Sequence, residues 1–212
     1  MNRTRVKICG LTVAEDVAVA VAAGADALGF VCYPRSPRYV ATERLRDLVQ
    51  ALPAFVTPVL LFVNATEGEV ARALEQVPQA LLQFHGDEEA AFCERYGRPY
   101  LRTVRMSAEA GWHDAERRYG SAAALLADAP APGYGGGGAV FDWSQLPGPA
   151  QRRKPLVLAG GLTAANVGAA IAQLRPYAVD VSSGVEQAPG RKDPGKIAAF
   201  IAAVRAADGL NR

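Results

Sequence analysis

Apolar residues recur along the chain in two rhythms. Short runs with the composition of buried strands appear at Arg5 to Cys9, Ala27 to Val31, Val59 to Val63, Leu81 to Phe84, Tyr100 to Val104, Ala124 to Asp128, Leu156 to Ala159 and Val179 to Ser183. Between most of them the spacing changes to that of amphipathic helices. Leu45, Leu48, Val49 and Leu52 follow the i, i+3, i+4, i+7 pattern up to Pro53, and Val70, Ala73, Leu74 and Val77 repeat it. Start and stop signals frame these segments. Thr12 with Glu15 and Thr66 with Glu69 are spaced as capping boxes, Gly24 closes the first helix, and Asp193-Pro194 opens a last helix that buries Ile197, Phe200, Ile201 and Val204. The rhythm is weakest around Ala108 to Tyr119 and after the sixth strand, where Gly and Pro replace periodicity.

Strand and helix alternate at the spacing of βαβ units, and the strands are apolar enough for a parallel sheet buried on both faces. An open doubly wound sheet and a closed barrel both satisfy this pattern. Eight units favour closure, so the chain is expected to be an α/β protein with one (β/α)8 barrel occupying residues 1–212 as a single catalytic domain.

Composition narrows the partners. With 23 Lys and Arg against 21 Asp and Glu the formal net charge is +2, and the basic residues are scattered, which argues against nucleic acid as the main partner. An anionic small molecule remains compatible. No apolar run is long enough for a membrane span, and the basic N-terminus lacks the apolar core of a secretory signal. The three cysteines, Cys9, Cys32 and Cys93, are far apart and form no CxxC pair, so neither a metal site nor a disulfide framework is expected, and a reducing cytoplasm is the expected compartment. Gly133 to Gly138 reads as a mobile loop within the domain.

In a barrel of this type, chemistry belongs at the C-terminal ends of the strands. Alternation places Arg5, Lys7 and Cys9 on one face of the first strand and Val6 and Ile8 on the other, so Cys9 points into the barrel mouth. The Lys7 ammonium beside it favours a thiolate and a base or nucleophile usable near neutral pH; the alternative is a small buried cysteine. Asp128 ends the sixth strand on the face of Leu126, where an apolar wall favours a protonated carboxyl that can serve as an acid; the alternative is a cap. Asp142, before Trp143-Ser144, reads rather as the cap of a short helix. Gly160-Gly161 and Ser182-Ser183-Gly184 follow strands seven and eight, where such barrels bind phosphate through backbone N–H groups. Arg35 and Arg38, held between Pro34 and Pro37, could grip a carboxylate, and Gln83 and His85 could bond substrate hydroxyls, His85 being equally suited to a structural bond.

Taken together, Lys7 to Thr12, Gly24 to Phe30, Ser36 to Tyr39, Gln83 to Gly86, the Gly135 to Gly138 run with Phe141-Asp142-Trp143, Ala159 to Leu162 and Val179 to Glu186 resemble the phosphoribosylanthranilate isomerases, over a stretch from Arg5 to Arg205. The resemblance implies a (β/α)8 barrel of tryptophan biosynthesis. It also implies an Amadori rearrangement of N-(5'-phosphoribosyl)anthranilate to 1-(2-carboxyphenylamino)-1-deoxyribulose 5-phosphate, without metal or organic cofactor. It puts Cys9 on the general base, Asp128 on the general acid and Arg38, but not Arg35, on the arginine that binds the anthranilate carboxylate. Gly160, Gly161, Ser183 and Gly184 would hold the phosphate, and Asp180 would help position the sugar. The expected partner is a phosphosugar, and the chain is expected as a monomer or homodimer. Ala127 and Phe84 depart from the usual residues without touching a proposed role. Two rivals carry less: a histidine-pathway isomerase would show a half-chain repeat and a second Gly-Gly loop, and a silent sugar-phosphate sensor would need no pair of proton carriers.

Overall fold

A computed structural model describes residues 3–106, 111–130 and 141–210, without the side chain of Leu210. The loop expected at Gly133 to Gly138 lies outside the described residues. Eight parallel strands, β1 (Arg5–Cys9), β2 (Ala27–Val31), β3 (Thr57–Phe62), β4 (Leu81–Phe84), β5 (Tyr100–Arg105), β6 (Ala124–Asp128), β7 (Leu156–Leu158) and β8 (Ala178–Val181), pair in sequence order and close on themselves. Closure is made by β1 and β8, which pair from Arg5 opposite Ala178 to Ile8 opposite Val181. The expected (β/α)8 barrel is therefore the fold. Helices α1 (Ala14–Ala23), α2 (Thr42–Val49), α3 (Glu67–Gln76), α4 (Ala90–Glu94), α5 (Trp112–Arg118), α6 (Val167–Leu174) and α7 (Pro194–Leu210) surround it. The β6–β7 connection carries two short 3₁₀ turns, Trp143–Gln145 and Pro149–Gln151, where the apolar rhythm fails.

Alternation along each strand divides the core. Val6, Ile8, Leu60, Phe62, Leu125 and Leu158 face the helices, whereas Val59, Leu101, Leu126 and Val157 fill the barrel interior. Burial on both faces explains why the strands read as nearly continuous apolar runs. Above the interior layer lie Cys9, Val31, Leu61 and Val63, which place the C-terminal end of β1 beside the ends of β2 and β3.

The end signals divide instructively. Thr66 and Glu69 form the expected capping box, Gly24 caps α1 in a left-handed conformation, and Asp193 Oδ1 accepts the Lys196 N–H at 3.0 Å. Thr12 does not cap α1. That helix starts after Val13 without a side-chain cap, because the Thr12 hydroxyl donates to the Gly190 carbonyl at 2.7 Å. That contact belongs to an unforeseen element, an antiparallel hairpin of β9 (Glu186–Ala188) and β10 (Arg191–Lys192) folded between β8 and α7.

Candidate active site

Cys9 and Lys7 share the inner face of β1, as alternation predicts, and a gap in β2 receives them. Gly29 lies opposite Cys9 in the β1–β2 ladder; a Cβ there would stand 2.7 Å from Cys9 Sγ and 3.1 Å from Lys7 Nζ. A side chain at this position would therefore displace both. Gly10 does the same one residue beyond β1, where a Cβ would lie 2.5 Å from Cδ of Arg38, so the arginine stem crosses the end of the strand.

The expected neutral-range thiolate at Cys9 is corrected by its surroundings. Cys9 is buried, and burial is the largest influence on it, pushing its pKa up; the Lys7 ammonium opposes this and Asp180 adds to it. Lys7 is less effective than its proximity suggests because Asp180, its ladder partner on β8, takes its charge: both carboxylate oxygens accept from Nζ at 2.9 Å. Burial alone would lower Lys7, but Asp180 and Cys9 outweigh it and hold the ammonium above its ordinary pKa. Cys32 and Cys93 are likewise pushed up, to about 12, chiefly by burial.

Across the barrel, Asp128 projects from the inner face of β6. Oδ1 accepts the Ala129 N–H at 2.9 Å, and Oδ2 lies 3.2 Å from Nε2 of His85 at the end of β4. The other nitrogen of that ring, Nδ1, is 3.1 Å from the Thr103 hydroxyl and 3.3 Å from Gln83 Nε2. Gln83 has no exposed surface, and its Nε2 lies within reach of both His85 Nδ1 and, at 3.4 Å, the Thr103 hydroxyl. His85 is held from outside the barrel as well. Arg102, facing the helices, pairs with Glu88 at 2.8 Å and donates to the carbonyls of Phe84 and Gly86, while Glu88 accepts the N–H groups of Asn64 and Gly86. Asp142 is an exposed cap, accepting the Ser144 N–H at 2.9 Å, as expected.

The two glycine loops meet. Gly160 and Gly161 have φ of 82° and 62°, a region costly for other residues, and a Cβ on Gly160 would lie 2.6 Å from the Ala129 nitrogen and 3.1 Å from Asp128 Oδ1. A Cβ on Gly184 would lie 1.9 Å from the Leu162 carbonyl oxygen, so the loops after β7 and β8 touch through backbone alone. Asn166 ties the first loop down by accepting from the Thr163 N–H and donating to the Gly161 carbonyl. Ser183 opens a three-residue 3₁₀ turn, Ser183–Val185.

Arg38 is engaged rather than solvated. Its Nε and Nη2 donate to the two carboxylate oxygens of Glu186 at 2.8 and 2.7 Å, and Lys192 Nζ donates to Glu186 Oε1 at 2.9 Å. Burial alone would raise Glu186, but the bonds from Arg38 and Lys192 outweigh it and hold the carboxyl below its ordinary pKa. Glu186 and Lys192 were not singled out as site residues from the sequence, since neither lies at a strand end.

A family profile described as N-(5'phosphoribosyl)anthranilate (PRA) isomerase matches residues 6–203. The N-(5'-phosphoribosyl)anthranilate isomerase of Leptothrix cholodnii is 58% identical over 206 residues, spanning 97% of this chain and 93% of its own length. Among solved structures, phosphoribosyl anthranilate isomerase from Thermotoga maritima superposes with a TM-score of 0.86 at 41% identity, covering 96% of this chain and 99% of that one. A further phosphoribosyl anthranilate isomerase was solved in complex with reduced 1-(o-carboxyphenylamino)-1-deoxyribulose 5-phosphate. It has a TM-score of 0.79 at 36% identity, with 96% and 99% of the two chains covered.

Proposed function

The chain belongs to the N-(5'-phosphoribosyl)anthranilate isomerase family and is an isomerase of tryptophan biosynthesis, and from that premise we propose that Cys9 and Asp128 carry its two proton transfers. Asp128 gives a proton to the furanose ring oxygen as the C1'–O bond breaks, and the nitrogen lone pair closes a C1'=N iminium. The iminium acidifies C2'. Cys9, in the fraction of molecules that carry it as thiolate beside the Lys7 ammonium, takes the C2' proton, the C–H electrons form the C1'=C2' bond, and the nitrogen regains its lone pair in the enolamine of 1-(2-carboxyphenylamino)-1-deoxyribulose 5-phosphate. Each positioned transfer contributes about 10² to 10⁴ in rate.

The observation that carries this reading is that one base and one acid stand on the inner faces of β1 and β6, at the mouth of a single closed barrel. The remaining groups match the two anionic ends of the substrate. Arg38 takes the anthranilate carboxylate, and the backbone of Gly160, Gly161, Ser183 and Gly184 takes the phosphate. Asp180 acts on Lys7 and through it on Cys9, in addition to the sugar contact expected of it; His85 positions Asp128, and Gln83 sets the ring of His85. Residues 1–212 work as one domain, and the free cysteines suit the reducing cytoplasm. Among the described residues no helix is long and apolar enough to cross a membrane.

Incubation with N-(5'-phosphoribosyl)anthranilate should consume its anthranilate fluorescence. Cys9→Ser and Asp128→Asn should each lower kcat by about 10² to 10⁴ with KM little changed. Near-normal turnover in either variant would remove that residue from its role.

A further inference from the structure

The hairpin of β9 and β10 lies against Arg38. Glu186 grips the side-on edge of Arg38, Nε with Nη2, which leaves the Nη1 end of the guanidinium directed elsewhere. The tip of the hairpin lies on the backbone that carries this arginine: a Cβ on Gly190 would stand 3.0 Å from the Pro37 carbonyl oxygen and 3.9 Å from the Arg38 Cα. Two bonds fix the hairpin to the start of the barrel, from Thr12 Oγ1 to the Gly190 carbonyl and from the Lys192 N–H to Asp16 Oδ2 at 2.8 Å.

Lys192 is 1% exposed, an unusual place for a lysine. Its Nζ has three acceptors, Glu186 Oε1 at 2.9 Å, the Ser182 carbonyl at 3.2 Å and Ser182 Oγ at 3.4 Å, matching the three donors of an ammonium. A buried ammonium is costly unless paired, so its retention here calls for a charge-based reason. Arg38 with Glu186 alone would be a neutral pair whose carboxylate repels an incoming anion. With Lys192 the cluster has two positive charges against one negative charge.

We propose that Glu186 and Lys192 are positioning residues that set the carboxylate specificity of the site: Glu186 fixes the plane of the Arg38 guanidinium, and Lys192 cancels the charge of Glu186, so the open end of Arg38 meets the substrate carboxylate with one uncompensated positive charge. Through Ser182, the same ammonium ties this arm to the loop that precedes Ser183 and Gly184. The inference rests on the reading of Arg38 as the carboxylate ligand.

The test is binding of two ligands that do not react, reduced 1-(o-carboxyphenylamino)-1-deoxyribulose 5-phosphate and its counterpart lacking the ring carboxylate. Binding is read in preference to turnover because the Lys192 charge also reaches Cys9. Lys192→Met should weaken the first ligand about tenfold and leave the second nearly unchanged, as expected for loss of one charge near an anion. The double variant E186Q/K192M removes both buried charges and leaves no unpaired ion, but its amide accepts through one oxygen only, so it should regain part of the preference lost in K192M and not all of it. Equal weakening of both ligands, or a double variant with less preference than K192M, would overturn the proposal. If K192M fails to fold, the double variant decides alone: a preference reduced but retained supports the proposal, and either its collapse or a preference equal to that of the unmodified protein refutes it. Arg38→Met separates the two levels. Loss of preference in R38M but not in K192M sinks the inference and leaves the Arg38 reading standing, whereas full preference in R38M sinks both.

Discussion

Lys7 and Asp180 are direct partners across the β1–β8 closure, and both oxygens of the Asp180 carboxylate accept from the Lys7 ammonium at 2.9 Å. The charge nearest the Cys9 thiol is thereby balanced, and burial decides the thiol's proton affinity. A raised thiol pKa means little thiolate at neutral pH and more as pH increases, so the alkylation rate of Cys9 should rise through and above the ordinary thiol range. Asp180→Asn removes a charge that disfavours the thiolate and leaves Lys7 uncompensated. The alkylation profile should move down by about one pH unit or more. The measurement is the pH dependence of labelling by a small alkylating reagent. Cys32 and Cys93, pushed up to about 12, are replaced by Ser so that the profile reads Cys9 alone. An unchanged or upward-shifted profile would contradict the account.

Asp128 accepts the Ala129 N–H, and its Oδ2 lies 3.2 Å from His85 Nε2, a buried nitrogen without an aligned hydrogen-bond partner among the described residues. Replacing His85 by Ala removes this close polar neighbour and should lower kcat about tenfold at most, well short of the loss in Asp128→Asn. KM should hold nearly constant. Steady-state kinetics of the two variants side by side test this order, and a larger loss for His85→Ala would make the ring a direct participant.

The missing side chain of Gly29 creates the space for Cys9 and Lys7. Gly29→Ala should force both to move, with an overpacking cost of about 1 to 3 kcal/mol. Activity should drop while inhibition by inorganic phosphate stays constant, because the glycine loops proposed to hold phosphate lie after β7 and β8. Thermal unfolding together with phosphate inhibition checks the two parts, and a loss of phosphate affinity would show that the disturbance is global.

Arg102 and Glu88 are both buried, and each also satisfies backbone groups around His85. Arg102→Met leaves a buried carboxylate unpaired and should cost about 3 to 5 kcal/mol. Adding Glu88→Gln should recover part of that. Urea unfolding of the single and double variants measures the difference, and a double variant less stable than the single would rule out an unpaired charge as the cause.

Much of this arrangement was legible residue by residue. Period-two alternation placed Cys9, Asp128 and Leu126 on the inner face and Val6 and Ile8 on the outer one, because a parallel strand offers only two faces. The Thr66–Glu69 box is local and formed as its spacing required. Thr12–Glu15 has the same spacing and did not form, since a carbonyl 178 residues away engages the Thr12 hydroxyl. The Cys9 environment was misjudged for a related reason. Lys7 is two residues away and visible, but the carboxylate that neutralises it arrives only when the last strand meets the first. Glu186 is legible only as the end of the Val179 to Glu186 motif and Lys192 not at all; their proposed role depends on where a short hairpin lands.

The seam between β1 and β8 also ties activity to synthesis. Cys9 lies on the first strand of the barrel, whereas Asp180 lies on the eighth and Glu186 and Lys192 follow it, and the contact of Lys7 with Asp180 spans 173 positions. Contacts of such long sequence separation form late because the intervening chain must first be ordered. A nascent chain therefore carries Cys9 on an open edge, without its ionic surroundings, until the eighth strand docks. Ring closure and the maturation of the thiol are one event, and the reactivity of Cys9 reports when the barrel has shut.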